Sequence, residues 1–236
     1  MVDGVCGLSV RAPNLPSVVL FTATLYIALV TVTSLCYIKF MNEQAKKVLL
    51  LLAPGFEEVE ALTPVDYLRR AGIEVCTAAV GSSQDNGKNV TGSYDIVVKA
   101  DVLLTELDAK NELSPAAWDA VIVPGGMPGS ANIAGDSFAC EFLKNMAKAG
   151  KLICAICAAP AVVLGPLGLL EGRNFTCYPG LEEKVSGAFW REDRVVVDKN
   201  IITSRAAGTA GEFSMAIIAS LLSQDIAKEL AGKVLL

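Results

Sequence analysis

Apolar and polar residues fall into blocks whose period switches between that of a buried strand and that of a surface helix. The run Lys47–Leu52 (KVLLLL) is continuously apolar after its first residue, Ala53-Pro54-Gly55 punctuates it, and the periodic segment Glu57–Ala71 stops at Gly72. Strand, turn, helix and glycine stop open a βαβ unit. Glu74–Val80 reads as the next strand, and the loop Gly81–Gly92 is too rich in glycine and asparagine for regular structure. Tyr94–Val98 and Val102–Leu104 are short strands or bridges around Asp101. Asp119–Val123 is a strand that runs into Pro124-Gly125-Gly126, and Phe138–Ala149 is an amphipathic helix stopped by Gly150. Leu152–Ala155 is a buried strand feeding a helix that begins near Ala158-Ala159-Pro160. Strands at Phe175–Cys177, Arg194–Val197 and Asn200–Thr203 and helices at Gly211–Leu222 and Gln224–Gly232 complete the pattern. Fully apolar strands alternating with helices predict one doubly wound α/β domain, a mainly parallel sheet with helices on both faces. Its ligand site is expected at the C-terminal ends of the strands.

The first 40 residues follow another rule. No charged side chain occurs from Ala12 to Ile38, and Ser17–Ile38 spans 22 residues, enough to cross a hydrocarbon core of about 30 Å. A transmembrane or signal-anchor helix is the direct reading, and the lysines that follow, Lys39, Lys46 and Lys47, would leave the C-terminal portion in the cytoplasm. A cleaved signal peptide fits worse, because the apolar run is too long and no small-x-small site follows it. Translation starting at Met41 is the competing reading, and the two stand level. The expected division is therefore an extension, 1–40, whose residues 17–38 are a candidate membrane tether, and a domain, 41–236.

Composition then narrows the chemistry. With 20 Lys+Arg against 25 Asp+Glu, a net charge of -5 and no basic block, nucleic-acid binding is disfavoured. The absence of histidine removes imidazole metal sites and His-dependent triads. Chemistry must run on cysteine, carboxylate, hydroxyl or backbone groups. Of seven cysteines, Cys6 and Cys36 lie in the extension, while Cys76, Cys140, Cys154, Cys157 and Cys177 are scattered through apolar surroundings, a reduced intracellular pattern.

Three strand ends carry candidate chemistry. Gly55-Phe56-Glu57-Glu58-Val59-Glu60 places three carboxylates at a helix start. The helix dipole accounts for Glu57 and Glu58, but Glu60 precedes Ala61 and Leu62 on a face that should turn inward, where a carboxylate must be protonated or paired. Pro124-Gly125-Gly126-Met127-Pro128-Gly129 follows a buried strand and can turn backbone N–H groups toward a ligand, although a plain tight turn competes. Ile153-Cys154-Ala155-Ile156-Cys157-Ala158 puts Cys157 where a strand becomes a helix among small residues, the layout of a nucleophile elbow. The competing reading is a cysteine acting as a small buried hydrophobe. Cys154-x-x-Cys157 invites a redox or metal reading, but Cys154 lies inside the strand and no second CxxC follows, so no metal is expected.

The order AxGFEExE, PVDxLRRAGxxV, DAVIVPGG, AICAAP and TSRxxGT resembles the ThiJ/PfpI superfamily, in the branch of the Parkinsonism-associated deglycase, from Lys46 to Leu236. The resemblance implies a flavodoxin-like fold with a cysteine nucleophile elbow, a homodimer, and cofactor-free glyoxalase or deglycase chemistry on methylglyoxal or early glycation adducts. It makes Cys157 the reactive residue, Glu60 its hydrogen-bonded partner, and the amides of Gly126 and Ala158 the oxyanion donors. Gly125, Tyr178, Arg205 and Ala207 would line the substrate pocket. Departures are visible. Ala158 replaces the His that follows the nucleophile in the protease-like branch, so proteolysis is disfavoured. Tyr178-Pro179 stands where relatives carry His-Pro, and Ala207 replaces the proline of TSRGPGT.

Two functional readings use the same residues: an enzyme whose Cys157 thiolate attacks an aldehyde while Glu60 shuttles protons, and a redox-sensing chaperone or binding protein whose Cys157 is oxidised to the sulfinate. Both expect a helix N-terminus to lower the Cys157 thiol and the crowding of two acids to raise Glu60.

Overall fold

A computed structural model describes residues 45–81 and 87–236. The extension, and with it the choice between an anchor and a later start, lies outside the described residues. The strands are β1 (Lys47–Leu52), β2 (Glu74–Ala79), β3 (Asn89–Thr91), β4 (Val97–Lys99), β5 (Val102–Leu103), β6 (Ala120–Val123), β7 (Leu152–Ile156), β8 (Asn174–Phe175), β9 (Phe189–Trp190), β10 (Val195–Asp198) and β11 (Ile201–Ser204). The helices are α1 (Glu58–Arg70), α2 (Leu104–Ala109), α3 (Gly129–Gly135), α4 (Ser137–Lys148), α5 (Ala210–Leu221) and α6 (Gln224–Lys233).

Seven strands form one sheet in the order β10-β11-β7-β6-β1-β2-β5, parallel throughout except for the edge pair β10–β11. Alternate residues of each central strand face opposite layers. Leu49, Leu51, Val121, Val123, Ile153 and Ala155 pack against Ile133, Phe142, Leu143 and Met146 of α3 and α4. Val48, Leu50, Leu52, Ile122, Cys154 and Ile156 pack against Ala61 and Leu68 of α1 and Phe213, Ile217 and Ile218 of α5. Both faces are therefore covered, which explains why β1 reads as an uninterrupted apolar run. Cys154 is a core residue.

The parallel register pairs Val48 with Ala120, Ala120 with Leu152 and Ile153 with Ile201. The loops after β1, β6, β7 and β11 consequently open at one end of the sheet, where the sequence places the site. Two expectations fail there. The loop Gly81–Gly92 contains β3, which pairs with β4 in a small antiparallel hairpin outside the main sheet. The helix expected after Cys157 is only a π-helical segment, Pro160–Leu164, because Gly165, Pro166 and Gly168 follow within one turn. Sequence periodicity also misses α2, α3 and β9, each too short to show a period.

Candidate active site

Cys157 follows β7 with φ 63°, the left-handed region that a side chain rarely enters. Two hydrogen bonds hold it there: its N–H donates to the Ser204 carbonyl at 2.9 Å, and its carbonyl accepts from the Tyr178 N–H at 2.8 Å. With its backbone tied to the segments on both sides, the residue is turned out of the strand line and is partly exposed, unlike fully buried Cys154 three residues earlier. A positive-φ cysteine held at the end of a parallel strand has the geometry of a nucleophile elbow.

Glu60 reaches the same point from α1. Glu57 caps the helix, its Oε2 accepting from the Glu60 N–H at 2.7 Å, and the Glu60 side chain turns inward until only 1% of the residue is exposed. Its Oε2 accepts from the Gly125 N–H at 2.9 Å. Gly125 has no positive φ; it is required by space. A Cβ there would collide with Glu60 Oε2 and stand 2.6 Å from the Cys157 Cβ. Gly126 has φ 88°, and its neighbouring peptide is fixed because the Gly125 carbonyl accepts from the Glu57 N–H at 3.0 Å. In a trans peptide the N–H opposes the carbonyl, so the Gly126 N–H is turned from α1 toward the sulfur. Backbone N–H groups of Gly126 and Ala158 both stabilise negative charge on Cys157.

Burial pushes the Glu60 carboxyl up to about 7, against the opposing pull of the Cys157 thiol and the backbone N–H groups of Gly125 and Ala207. That agrees with the expected rise. The Cys157 thiol departs from expectation: burial, followed by the charge and hydrogen bond of Glu60, raises it, and the two amides do not reverse the shift. The physical reason lies in the elbow. A five-residue π-helical segment that begins only at Pro160 supplies little dipole to the Cys157 sulfur. Ionisation of either member of the pair therefore opposes ionisation of the other.

The remaining predicted pocket residues separate. Ala207 faces Glu60 through its N–H. Tyr178, half exposed, and Arg205 line a neighbouring cavity of about 470 Å³ together with Pro179, Arg194, Ala206, Gly208 and Thr209. Cys177 is fully buried in the core, where desolvation pushes its thiol up to about 12. Among the described residues no three His, Cys, Asp or Glu side chains converge as a metal site, and no helix is long and apolar enough to cross a membrane.

Sequence reasoning misplaces Glu58, whose acidic side chain does more than complement the helix dipole. It is 4% exposed, its Oε1 accepts from the Tyr94 N–H at 2.7 Å, and its Oε2 has no hydrogen-bond partner among the described residues. The partner is 36 residues away, beyond any local signal. Arg194 was likewise unmarked; its Nε donates to Glu212 at 2.8 Å and it braces the loop that carries Ala207.

A doubly wound sheet with a strained cysteine elbow, a buried helix-borne glutamate and a Gly-Gly turn defines a class of cysteine-centred α/β proteins. The chain belongs to the DJ-1/PfpI family, whose sequence profile matches residues 46–220. It is 39% identical over 200 residues to Protein DJ-1 homolog A of Arabidopsis thaliana, covering 85% of this chain and 48% of that one, so it spans about half the length of that relative. It is 37% identical over 179 residues to the glutathione-independent glyoxalase DJR-1.2 of Caenorhabditis elegans, covering 75% of this chain and 89% of the relative. The solved structure of oxidised Toxoplasma gondii DJ-1 superposes with a TM-score of 0.74 at 37% identity, covering 81% of this chain and 98% of that one. These likenesses establish the flavodoxin-like fold of the family.

Proposed function

We propose that the protein is a cofactor-independent glyoxalase of the deglycase type, acting on methylglyoxal or early glycation adducts. The observation that carries this reading is the convergence of Cys157, Glu60 and the Gly126 and Ala158 amides on one point at the end of the sheet. The similarity to a glutathione-independent glyoxalase supports it. The Cys157 sulfur attacks the aldehyde carbon as its proton passes to the Glu60 carboxylate, and the Gly126 and Ala158 amides receive the developing oxyanion. Glu60 returns that proton to the oxyanion, giving a hemithioacetal. Glu60, again a carboxylate, takes the proton on the former aldehyde carbon and delivers it to the adjacent carbonyl carbon through an enediol, while the hydroxyl proton on the former aldehyde oxygen passes to the former ketone oxygen. The result is a lactoyl thioester, which water hydrolyses to lactate and free thiol. A carboxyl at about 7 is suited to both halves of this exchange. The test is lactate formation from methylglyoxal in the presence of a chelator: Cys157→Ala is expected to abolish it, and an unchanged rate would sink the mechanism.

A second reading, oxidation of Cys157 as a redox signal, is favoured by the similarity to a DJ-1 solved in an oxidised form. The raised thiol weighs against it, since oxidation follows thiolate character. Intact mass after dilute peroxide separates the two: two oxygens added first at Cys157 support sensing, and even oxidation of the other thiols opposes it.

The expected homodimer remains part of the proposal. Val59 and Leu62 on α1 and Tyr94, Ile96 and Val97 on the adjoining hairpin are exposed apolar residues, a surface suited to a second copy.

A further inference from the structure

The cavity beside the elbow is larger and more basic than a three-carbon neutral aldehyde needs. Its position is set by two hydrogen bonds already described: Tyr178 follows Cys177 and donates its N–H to the Cys157 carbonyl, while Arg205 follows Ser204, whose carbonyl holds the Cys157 N–H. The backbone of the nucleophile is therefore tied to the two segments that carry Tyr178 and Arg205, both of which line the cavity.

The two arginines of that wall are in different states. Arg194 is committed. Its guanidinium pairs with Glu212 at 2.6 Å and donates to the Gly208 carbonyl at 2.6 Å, so its charge is offset and its donors fix the 205–209 loop. The same loop is pinned from inside, where Ser204 Oγ donates to the Arg194 carbonyl at 2.8 Å and Thr209 Oγ1 to the Ala206 carbonyl at 2.8 Å. Arg205 is not committed. One nitrogen donates to the Glu192 carbonyl at 2.8 Å, and among the described residues no carboxylate lies within 4.0 Å of the others. A guanidinium carries five N–H donors, and most of those on Arg205 are left for something else. Glu182, on the segment that follows Tyr178 and Pro179, accepts the Gly180 N–H at 2.7 Å.

We propose that the substrate of the Cys157 site is an α-oxoaldehyde bearing an oxyanion group, a carboxylate or a phosphate, which Arg205 holds in this cavity while the aldehyde reaches the sulfur. This rests on the glyoxalase-type reading and narrows its substrate class. The Arg205 fork accepts a planar or tetrahedral oxyanion through paired N–H donors, and the Tyr178 phenol is on the same wall to add a donor. The acidic pair Glu60–Cys157 excludes the anionic end from the reacting position and so orients the substrate with its aldehyde inward.

The experiment compares kcat/KM of the full chain for methylglyoxal, for 4,5-dioxovalerate as the carboxylate arm and for hydroxypyruvaldehyde phosphate as the phosphate arm. At least one anionic substrate is expected to exceed methylglyoxal about tenfold or more, and the better arm identifies the group. Arg205→Leu is expected to cut the anionic-to-neutral ratio about tenfold, the size of one charge-assisted hydrogen bond, with partial recovery in Arg205→Lys. Equal use of neutral and anionic substrates, or an equal loss on both in Arg205→Leu, overturns the proposal. A second readout needs no turnover: inorganic phosphate and citrate, at matched ionic strength, should slow iodoacetamide modification of Cys157 in the parent and not in Arg205→Leu. If no oxoaldehyde is turned over, the glyoxalase reading fails, and this protection still decides whether Arg205 holds an anion. No protection by either anion overturns the site.

Discussion

The first turn of α1 carries two buried glutamates, two residues apart, that serve different regions. Glu58 turns to the β3–β4 hairpin and Glu60 to the Cys157 elbow, and each lies against a glycine that a Cβ would turn into a collision: Gly92 for Glu58, Gly125 for Glu60. Each accepts a backbone N–H at close range, from Tyr94 at Glu58 and from Gly125 at Glu60. What differs is the company beyond that bond. Around Gly92 the neighbours of the added Cβ are all atoms of the Glu58 side chain, whereas around Gly125 they include the Cys157 Cβ and the Ile156 carbonyl. Glu58 is thus a peg holding a hairpin, and Glu60 is an acid locked beside another acid. Burial alone does not mark a functional carboxylate; a second ionisable group within reach does.

The sharpest way to break the contrast is to fill both glycines. Gly125→Ala must displace Glu60 and Cys157 together, and activity is expected to fall about 100-fold or more, the scale of misplacing reacting groups by an ångström. Overpacking there should also cost roughly 1–3 kcal/mol of stability. Lactate assays and urea unfolding on the same variant give both numbers. An active Gly125→Ala would show that Glu60 and Cys157 need not touch.

Next in size is the proton held by Glu60. Its folded value of about 7 lies above its ordinary value of 4.5, so between these pH values the folded state binds more protons than the unfolded one. Its contribution to stability is therefore fully present below 4.5 and is lost as pH rises through 7, in total about 3 kcal/mol. Urea midpoints from pH 4.5 to 8 should show this slope in the parent relative to Glu60→Gln, which has no proton to lose. Turnover should move the other way, rising through about pH 7 as the carboxylate forms, and should be lost in Glu60→Gln because an amide accepts no proton from sulfur. A parent-like rate in Glu60→Gln would reduce Glu60 to a structural donor.

Glu58 should register on stability alone. Glu58→Ala removes the acceptor of the Tyr94 N–H and is expected to cost about 1.5–3 kcal/mol. Gly92→Ala should cost less, about 1 kcal/mol, because the far end of a flexible side chain can move aside. Chemical denaturation measures both, and a loss of turnover disproportionate to the unfolded fraction would erase the distinction between the two glutamates.

How much of this contrast is legible in the sequence follows from the range of the interactions. Strand β1 is read to the residue because five consecutive apolar side chains after Lys47, buried on both faces, leave one pattern. Cys157 is legible because an elbow needs small neighbours, which are adjacent in the chain. Glu60 shows through the inward face of its own helix. Glu58 sits on the same helix, but its burial depends on a hairpin whose first strand lies in a glycine-rich loop, and the three residues of β3 carry no period. The raised thiol was hidden for a related reason: the helix expected to lower it is cut to one π-helical stretch by glycine and proline beyond the motif. The unspent charge of Arg205 is likewise invisible until its neighbours are placed.

The smallest effect concerns Ala207, where relatives with the TSRGPGT pattern carry proline. The Ala207 N–H helps to hold charge on Glu60, and proline has none to give. The substitution itself should be tolerated. Ala206 is fully extended at φ -170° and ψ 179°, clear of the α region that a following proline disfavours, and Ala207 is the first residue of a 3-10 turn, where proline fits. The turn's own bonds, from the Ala206 and Thr209 N–H groups, do not use the Ala207 nitrogen. Ala207→Pro is therefore expected to fold normally and to raise the Glu60 carboxyl further, moving the rise of turnover to higher pH. One neutral hydrogen bond is worth about 1 kcal/mol, which bounds the loss of rate on the acid side of the profile at roughly fivefold and leaves the alkaline plateau in place. A pH–rate profile beside the parent measures it. If the profile did not move, Glu60 would owe its charge to Gly125 alone, and the contrast with Glu58, also held by one N–H, would rest entirely on Cys157.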